Sequence, residues 1–254
     1  MHRDPHSHKG ENGKVMVIGG SKHQHGAPLF SALAAEASGA DLIYVAVPAR
    51  HEGVAKNTSL NFQVHSFAGD ALVESDLKSL LELLATMDAA VIGPGLGRSP
   101  KEQGVIQELI QACPCAMVLD ASALQPWTLD AIEEKTAVLT PHLGELERMG
   151  IAQDEIDQRS ISTPCTILCK GPIDRISGAD GRTEEITGGN AGLTVGGTGD
   201  ALAGLTAGLM AQHMDAFDAC VLASRTIKRA GEQLKSHYTT RDVIGAIPEI
   251  IKKM

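Results

Sequence analysis

The sequence predicts an α/β fold: one domain with a mostly parallel central sheet and helices on both faces. Three observations carry this. Short β-rich runs alternate with helical stretches along the chain. The runs are apolar throughout, as in parallel strands covered on both faces. Many of the 27 glycines fall in loops just after such runs, as in α/β enzymes. A length of 254 residues allows one large domain or two small ones. No linker, repeat or low-complexity segment divides it, so residues 1–254 are read as a single domain. With aromatics at 3%, the core must be aliphatic.

The elements follow in order. Val15 to Ile18 reads as a buried strand ending at Gly19-Gly20, and an Ala-rich helix from about Ala27 to Ser38 closes with Gly39 at C′. Leu42 to Val47, Ala89 to Ile92, Ala116 to Leu119, Ala137 to Leu139 and Thr166 to Cys169 repeat the strand signature. Ser99-Pro100 supplies an N-cap and an N1 proline for a helix through Gln111. Ile173 to Ile176 and Arg182 to Ile186, joined through Gly178 to Gly181, predict a β-hairpin. Helices then dominate: from Ala201 with Leu202, Leu205, Leu209 and Met210 on one face, from Ala216 to Leu234, and from Val243 to Ile251. The Ala216–Leu234 helix suits a core or an interface equally well.

Composition excludes some partners. Formal net charge is −9 and no basic stripe is visible, which argues against nucleic acid, whose phosphates need clustered Lys and Arg. A phosphorylated small molecule stays open, because backbone amides can hold it. No apolar run approaches the roughly 20 residues of a membrane span, and the first residues carry no signal-peptide h-region. Five cysteines lack zinc-site spacing, so reduced, packed thiols of a cytoplasmic protein are expected. His2, His6 and His8 read as a solvated arm.

The chemistry concentrates in Gly188 to Asp200, directly before the helix from Ala201. Gly196, Gly197 and Gly199 let the backbone turn and leave its amides open at a helix N-terminus, where unpaired N–H groups and about half a positive charge favour phosphate. Asp200 could be a simple cap. Beside an anion cradle, however, a carboxylate repels phosphate unless it has work to do, and taking a proton from an attacking hydroxyl is that work. No Gly-Lys-Ser/Thr closes the loop, so it is not a Walker A motif.

Asn190 through Asp200 with Ala201-Leu202-Ala203-Gly204 resembles the signature of the ribokinase-like superfamily, and within it the ADP- or ATP-dependent NAD(P)H-hydrate dehydratases. Further matches run along nearly the whole chain: His8-Lys9-Gly10, Gly93-Pro94-Gly95-Leu96-Gly97, Leu119-Asp120-Ala121, Thr140 to Glu145, and Lys170-Gly171. The resemblance implies a ribokinase-like three-layer αβα fold. It also implies repair of hydrated NADH or NADPH: a nucleotide phosphorylates the added hydroxyl, and phosphate leaves to restore the double bond. By this resemblance Asp200 is the base and Gly197, Thr198 and Gly199 form the anion hole. The nucleotide site carries onto Lys170, Gly171, Pro172, Ile173 and Asp174. It continues through Asn190, Ala191, Gly192, Leu193, Thr194, Val195 and Gly196 to Gly199. Ala27, Gly97, His142 and Asp200 would contact the hydrated nicotinamide nucleotide. Read from sequence alone, His142 is a helix-capping surface residue. Glu145 either helps hold a magnesium-bound phosphate or favours its helix N-terminus. Mg²⁺ and homo-oligomerisation also follow from the resemblance.

The chain departs from the family in places. Ser122 stands where members commonly carry a carboxylate, Gln125 where they carry a shorter amide, and Pro172-Ile173-Asp174 follows Lys-Gly where a small residue and a Thr are usual. Asp174 near a polyphosphate is unfavourable unless it points away or shares magnesium. Two rival functions remain: a small-molecule kinase of the same superfamily acting on a hydroxyalkyl thiazole or pyrimidine, and a nucleotide-binding regulator without catalysis.

Overall fold

The structure, a computed structural model, describes residues 5–254; His2 lies outside them. The chain opens with β1 (Lys14–Ile18), α1 (Gly26–Ala37), β2 (Leu42–Ala46), α2 (Glu52–Thr58), β3 (Phe62–Val64) and α3 (Glu74–Leu84). Then come β4 (Ala89–Ile92), α4 (Pro100–Ala112), β5 (Ala116–Leu119), α5 (Thr128–Ala131), β6 (Ala137–Leu139), α6 (Leu143–Arg148) and α7 (Ile156–Ser162). It finishes with β7 (Thr166–Cys169), β8 (Asp174–Ser177), β9 (Thr183–Ile186), α8 (Thr198–Ala211), α9 (Ala216–Leu234) and α10 (Thr240–Ile251).

Among the described residues the strands form one nine-stranded sheet in the order β3-β2-β1-β4-β5-β6-β7-β8-β9. Pairing is parallel from β3 through β7, and β8 and β9 turn back as the expected antiparallel hairpin. The fully apolar runs are explained by burial on both faces. In β1, Val15 and Val17 join one core cluster with α1, α8, α9 and α10, while Met16 and Ile18 join a second with α3 and α4. Large aromatics are few in either core, which is filled by Ile, Leu, Val, Met and Ala.

Local signals act as the sequence suggests. Ser99 accepts from the Glu102 amide and Glu102 accepts in return from the Ser99 amide, a capping box that opens α4. Two helix starts are corrected. α8 begins at Thr198 instead of Ala201, so Thr198, Gly199 and Asp200 form its first turn, and α10 begins at Thr240, capped by Thr239, instead of Val243. The Ala216–Leu234 helix, left open between core and interface, packs on the sheet and on α8, with Phe217, Ala223 and Ile227 buried. No helix among the described residues is long and apolar enough to cross a membrane.

Candidate active site

The parallel topology sends the chain out of β4, β5, β6 and β7 at the same edge of the sheet. Asp120 follows β5 directly, Thr140-Pro141-His142 follow β6, and Lys170 follows β7. Open α/β sheets bind ligands outside these carboxyl ends. Lys170 is fixed there by its amide, which donates to the Pro141 carbonyl at 2.7 Å.

Side chains from these ends form a charged cluster. The Lys170 ammonium donates to Asp120 Oδ1 at 2.7 Å and lies 3.7 Å from Glu145 Oε2. Asp120 is steadied by the Thr140 hydroxyl at 2.9 Å. Burial alone would lower the Lys170 pKa, but the carboxylates of Asp120 and Glu145 outweigh it and hold the ammonium charged. A hypothetical side chain on Gly199 would come 3.3 Å from Lys170 Nζ, which puts the ammonium beside the first turn of α8.

Asp200 enters this cluster from α8. Its carboxylate makes no hydrogen bond to another described side chain or amide, whereas its backbone carbonyl accepts from Ser31 Oγ of α1 at 2.8 Å. Burial, reinforced by the charge on Asp120 and opposed by Lys170, pushes its pKa up to about 7. A carboxylate kept near neutral pH, unpaired, at the start of a helix is suited to accept a proton. Gly197 makes the turn before it. Its φ of +101° is unfavourable for other residues, and a Cβ there would meet the Phe30 ring at 2.5 Å. The turn leaves the first amides of α8 facing a cleft of about 870 Å³.

Most of the residues expected at a nucleotide line that cleft. Lys170, Gly171, Pro172 and Asp174 form one wall, with Gly197, Thr198 and Gly199 at its floor. Asn190, Ala191, Leu193, Thr194 and Val195 form the other wall. Gly192 faces a neighbouring surface groove beside Tyr238, Ile173 is about half exposed outside the cleft, and the Gly196 carbonyl accepts from Thr240 Oγ1. Asp174 lines the cleft but is engaged by protein groups. Its oxygens accept from the Gly171 amide at 2.9 Å and the Ser224 hydroxyl at 2.7 Å, with the Lys228 ammonium 3.5 Å off.

The residues expected at the nicotinamide side sit around the same edge. Ala27 lies in the first turn of α1, and its carbonyl accepts from the same Ser31 hydroxyl that donates to the Asp200 backbone carbonyl. Gly97 lies in the loop after β4, held by Gln103 Nε2 on its carbonyl at 3.0 Å. His142 caps α6: its Nδ1 accepts from the Glu145 amide at 3.2 Å, and its side chain is 57% exposed at the cleft mouth. It is therefore both a cap and free to meet a ligand. Glu145 is buried and occupied, accepting from the His142 amide at 3.0 Å and facing Lys170. Ser122 donates to the Leu96 carbonyl at 2.7 Å, a bond an ionised carboxylate could not make, so its hydroxyl ties the loop after β5 to the loop before Gly97.

Sequence reasoning did not assign Asp120, Lys228 or Ser224 to the site. Asp120 carried a legible signal, a carboxylate immediately after an apolar strand. Ser224 and Lys228, one helical turn apart on the buried side of α9, showed only as polar breaks in an apolar face.

Residues 15–253 match the profile of a family described as NAD(P)H-hydrate dehydratase. A relative from Archaeoglobus fulgidus, named bifunctional NAD(P)H-hydrate repair enzyme Nnr, is 37% identical over 251 residues, 96% of this chain and 52% of its own length. The ADP-dependent (S)-NAD(P)H-hydrate dehydratase of Cenarchaeum symbiosum is 35% identical over 264 residues, 97% of this chain and 91% of its own. The chain thus spans about half the length of the bifunctional relatives it matches. Among solved structures, a ribokinase-like superfamily protein from Enterococcus faecalis superposes with a TM-score of 0.84 at 26% identity, covering 99% of this chain and 91% of that one. The ADP/ATP-dependent NAD(P)H-hydrate dehydratase of Bacillus subtilis, co-crystallised with ATP and Mg²⁺, shares the fold at a TM-score of 0.82 and 24% identity, covering 99% of this chain and 93% of that one.

Proposed function

The chain belongs to the NAD(P)H-hydrate dehydratase family, and from that premise we propose that it dehydrates (6S)-hydrated NADH or NADPH at the expense of a nucleotide. The observation that carries this reading is Asp200: a half-buried carboxylate with no hydrogen-bond partner among the described residues and a pKa pushed up to about 7, one residue beyond the amides of Gly197 to Gly199.

In this reading Asp200 takes the proton of the ring hydroxyl. The freed oxygen attacks the terminal phosphorus of the nucleotide, whose bond to the bridging oxygen breaks to release AMP from ADP (or ADP from ATP), while the first amides of α8 hold the transferred phosphoryl group. The phosphorylated ring then loses inorganic phosphate and a proton, and the double bond returns. Hydroxide is a poor leaving group and phosphate a good one, so the nucleotide drives a reluctant dehydration. Lys170, beside Gly199, offsets negative charge as it develops on the transferred group. Ala27, Gly97 and His142 hold the hydrated nucleotide. The name of the relative that matches the chain over nearly its full length makes ADP the donor we propose, with ATP as the alternative.

Magnesium, when bound, neutralises phosphate charge. Glu145 is the carboxylate available for it, but its Oε2 meets both the His142 amide and the Lys170 ammonium, its Oε1 lies 3.6 Å from the His142 ring, and no cluster of three ligating side chains occurs among the described residues. The residues therefore fit a metal carried mainly by the nucleotide's phosphates and water, with Glu145 at most an outer partner.

The test is recovery of 340-nm absorbance from hydrated NADH, run with ADP, with ATP and without nucleotide, each with Mg²⁺. Recovery dependent on one nucleotide, with phosphate released in step, supports the dehydratase and names the donor. Nucleotide binding without recovery would overturn it in favour of a kinase for another hydroxyl compound or a regulator.

A further inference from the structure

Two polar side chains on α9, Ser224 and Lys228, take no part in the chemistry above, although both are buried and Lys228 lines the cleft. Lys228 is 5% exposed, and its ammonium donates to the carbonyls of Gly171 at 3.2 Å and Pro172 at 3.0 Å. Its third partner is the Asp174 carboxylate at 3.5 Å. Asp174, itself 7% exposed, closes a ring by accepting from the Gly171 amide and from Ser224, one helical turn before Lys228. The ammonium's donors are thus directed at the turn that leaves β7, immediately after Lys170, and none is left over for a phosphate.

The same residue reaches the facing wall. A side chain on Gly189 would lie 3.5 Å from Lys228 Cγ, so the lysine stem packs under the Gly188-Gly189 turn. One turn on, Glu232 accepts from the Gly189 amide at 3.0 Å and the Gly231 carbonyl accepts from Asn190 Nδ2. Both walls are therefore fastened to one stretch of α9.

We propose that Lys228 is a positioning residue for the nucleotide, its ammonium fixing the Gly171–Asp174 turn and its stem backing the Gly188-Gly189 turn opposite. This rests on the nucleotide reading of the cleft. A buried ion pair in a core commonly contributes little, and hydrophobic residues can replace it. Here the charge is spent on loop carbonyls of a binding wall, so its loss should appear in ligand affinity.

Lys228→Met keeps the stem and removes the ammonium. Calorimetric titration with ADP and with ATP, each with Mg²⁺, should give a Kd raised by about tenfold or more. The nucleotide KM should rise in parallel, while kcat and the KM for the hydrated substrate stay within about twofold. Ser224→Ala, which removes one hydrogen bond from the ring, should show the same pattern at about two- to fivefold. It also serves if Lys228→Met does not fold. Unchanged affinity in a folded variant would overturn the proposal. So would an equal fall in kcat with a lowered Tm, since that marks a merely structural ion pair. Absence of nucleotide binding by the unaltered protein would instead remove the nucleotide reading itself.

Discussion

Asp200 joins two properties that pull in opposite directions. Its first turn of α8 favours negative charge, yet its burial and the neighbouring Asp120 disfavour it, and the second effect wins by enough to bring the pKa to about 7. The folded-state pKa therefore lies above the unfolded value of 3.8, so ionising Asp200 opposes folding. The penalty is absent in acid, grows as pH rises toward about 7, and is constant above it. Asp200→Asn should cut kcat by a factor of order a hundred or more with little change in nucleotide affinity. It should also raise Tm more at alkaline than at acid pH, a combination checked by kinetics and by thermal melts at two pH values. Wild-type turnover in that variant would remove Asp200 from the base role. The acid limb of kcat/KM should have its midpoint near 7, and Asp120→Asn, by removing a charge that raises it, should move that midpoint to lower pH. An unmoved limb would separate the observed profile from Asp200. Residues of this kind were legible in part. A carboxylate beside a glycine cradle announces itself, but the approach of Asp120 and Lys170 depends on strands far apart in sequence, and no local pattern reports it.

At the scale of elements, the proposed phosphate cradle is a turn plus the first amides of α8. Its shape depends on Gly197, whose left-handed backbone and contact with Phe30 leave no room for a side chain. Gly197→Ala should weaken nucleotide binding by about tenfold or more through backbone strain, with circular dichroism unchanged. Wild-type affinity by calorimetry would count against the cradle. The strands most deeply buried were the most legible: Ala89–Ile92, Ala116–Leu119, Ala137–Leu139 and Thr166–Cys169 are apolar at nearly every position because both faces are covered. The edge was not. β3 has three residues with Gln63 exposed, and the short α2 before it has one buried side chain, so neither carries a run long enough to read. α3 did carry a signal, Leu77, Leu80 and Leu84 at helical spacing, which a search for strands passes over. The start of α8 was misplaced because Thr198 and Gly199 have weak helix propensity, and packing against α1 overrides it.

The whole molecule carries a net charge of −9 yet is proposed to gather two anionic ligands. In the proposed reading backbone amides, Lys170 and magnesium would supply the local field, so net charge bears on solubility instead of recognition. Because the cleft is built from the ends of β6 and β7, from α8 and from α9, a nucleotide bound there as proposed would touch both sheet and helices. ADP with Mg²⁺ at a hundred times its Kd should therefore stabilise the fold by about 2.7 kcal/mol and raise a single thermal transition. Unshifted melting at that saturation would place the nucleotide elsewhere or nowhere. One further consequence follows from the contact of α1 with α8. Side chains on Gly204 and Gly208 would strike Ser31 and Ser38, so the two helices meet backbone to backbone, and Ser31 reaches the carbonyls of both Ala27 and Asp200. The proposed seat of the ring and the proposed seat of the proton acceptor are thus the two jaws of a locked caliper. The gauge between ring and base stays constant, so a compound whose hydroxyl stands one bond nearer or farther would be held without reacting.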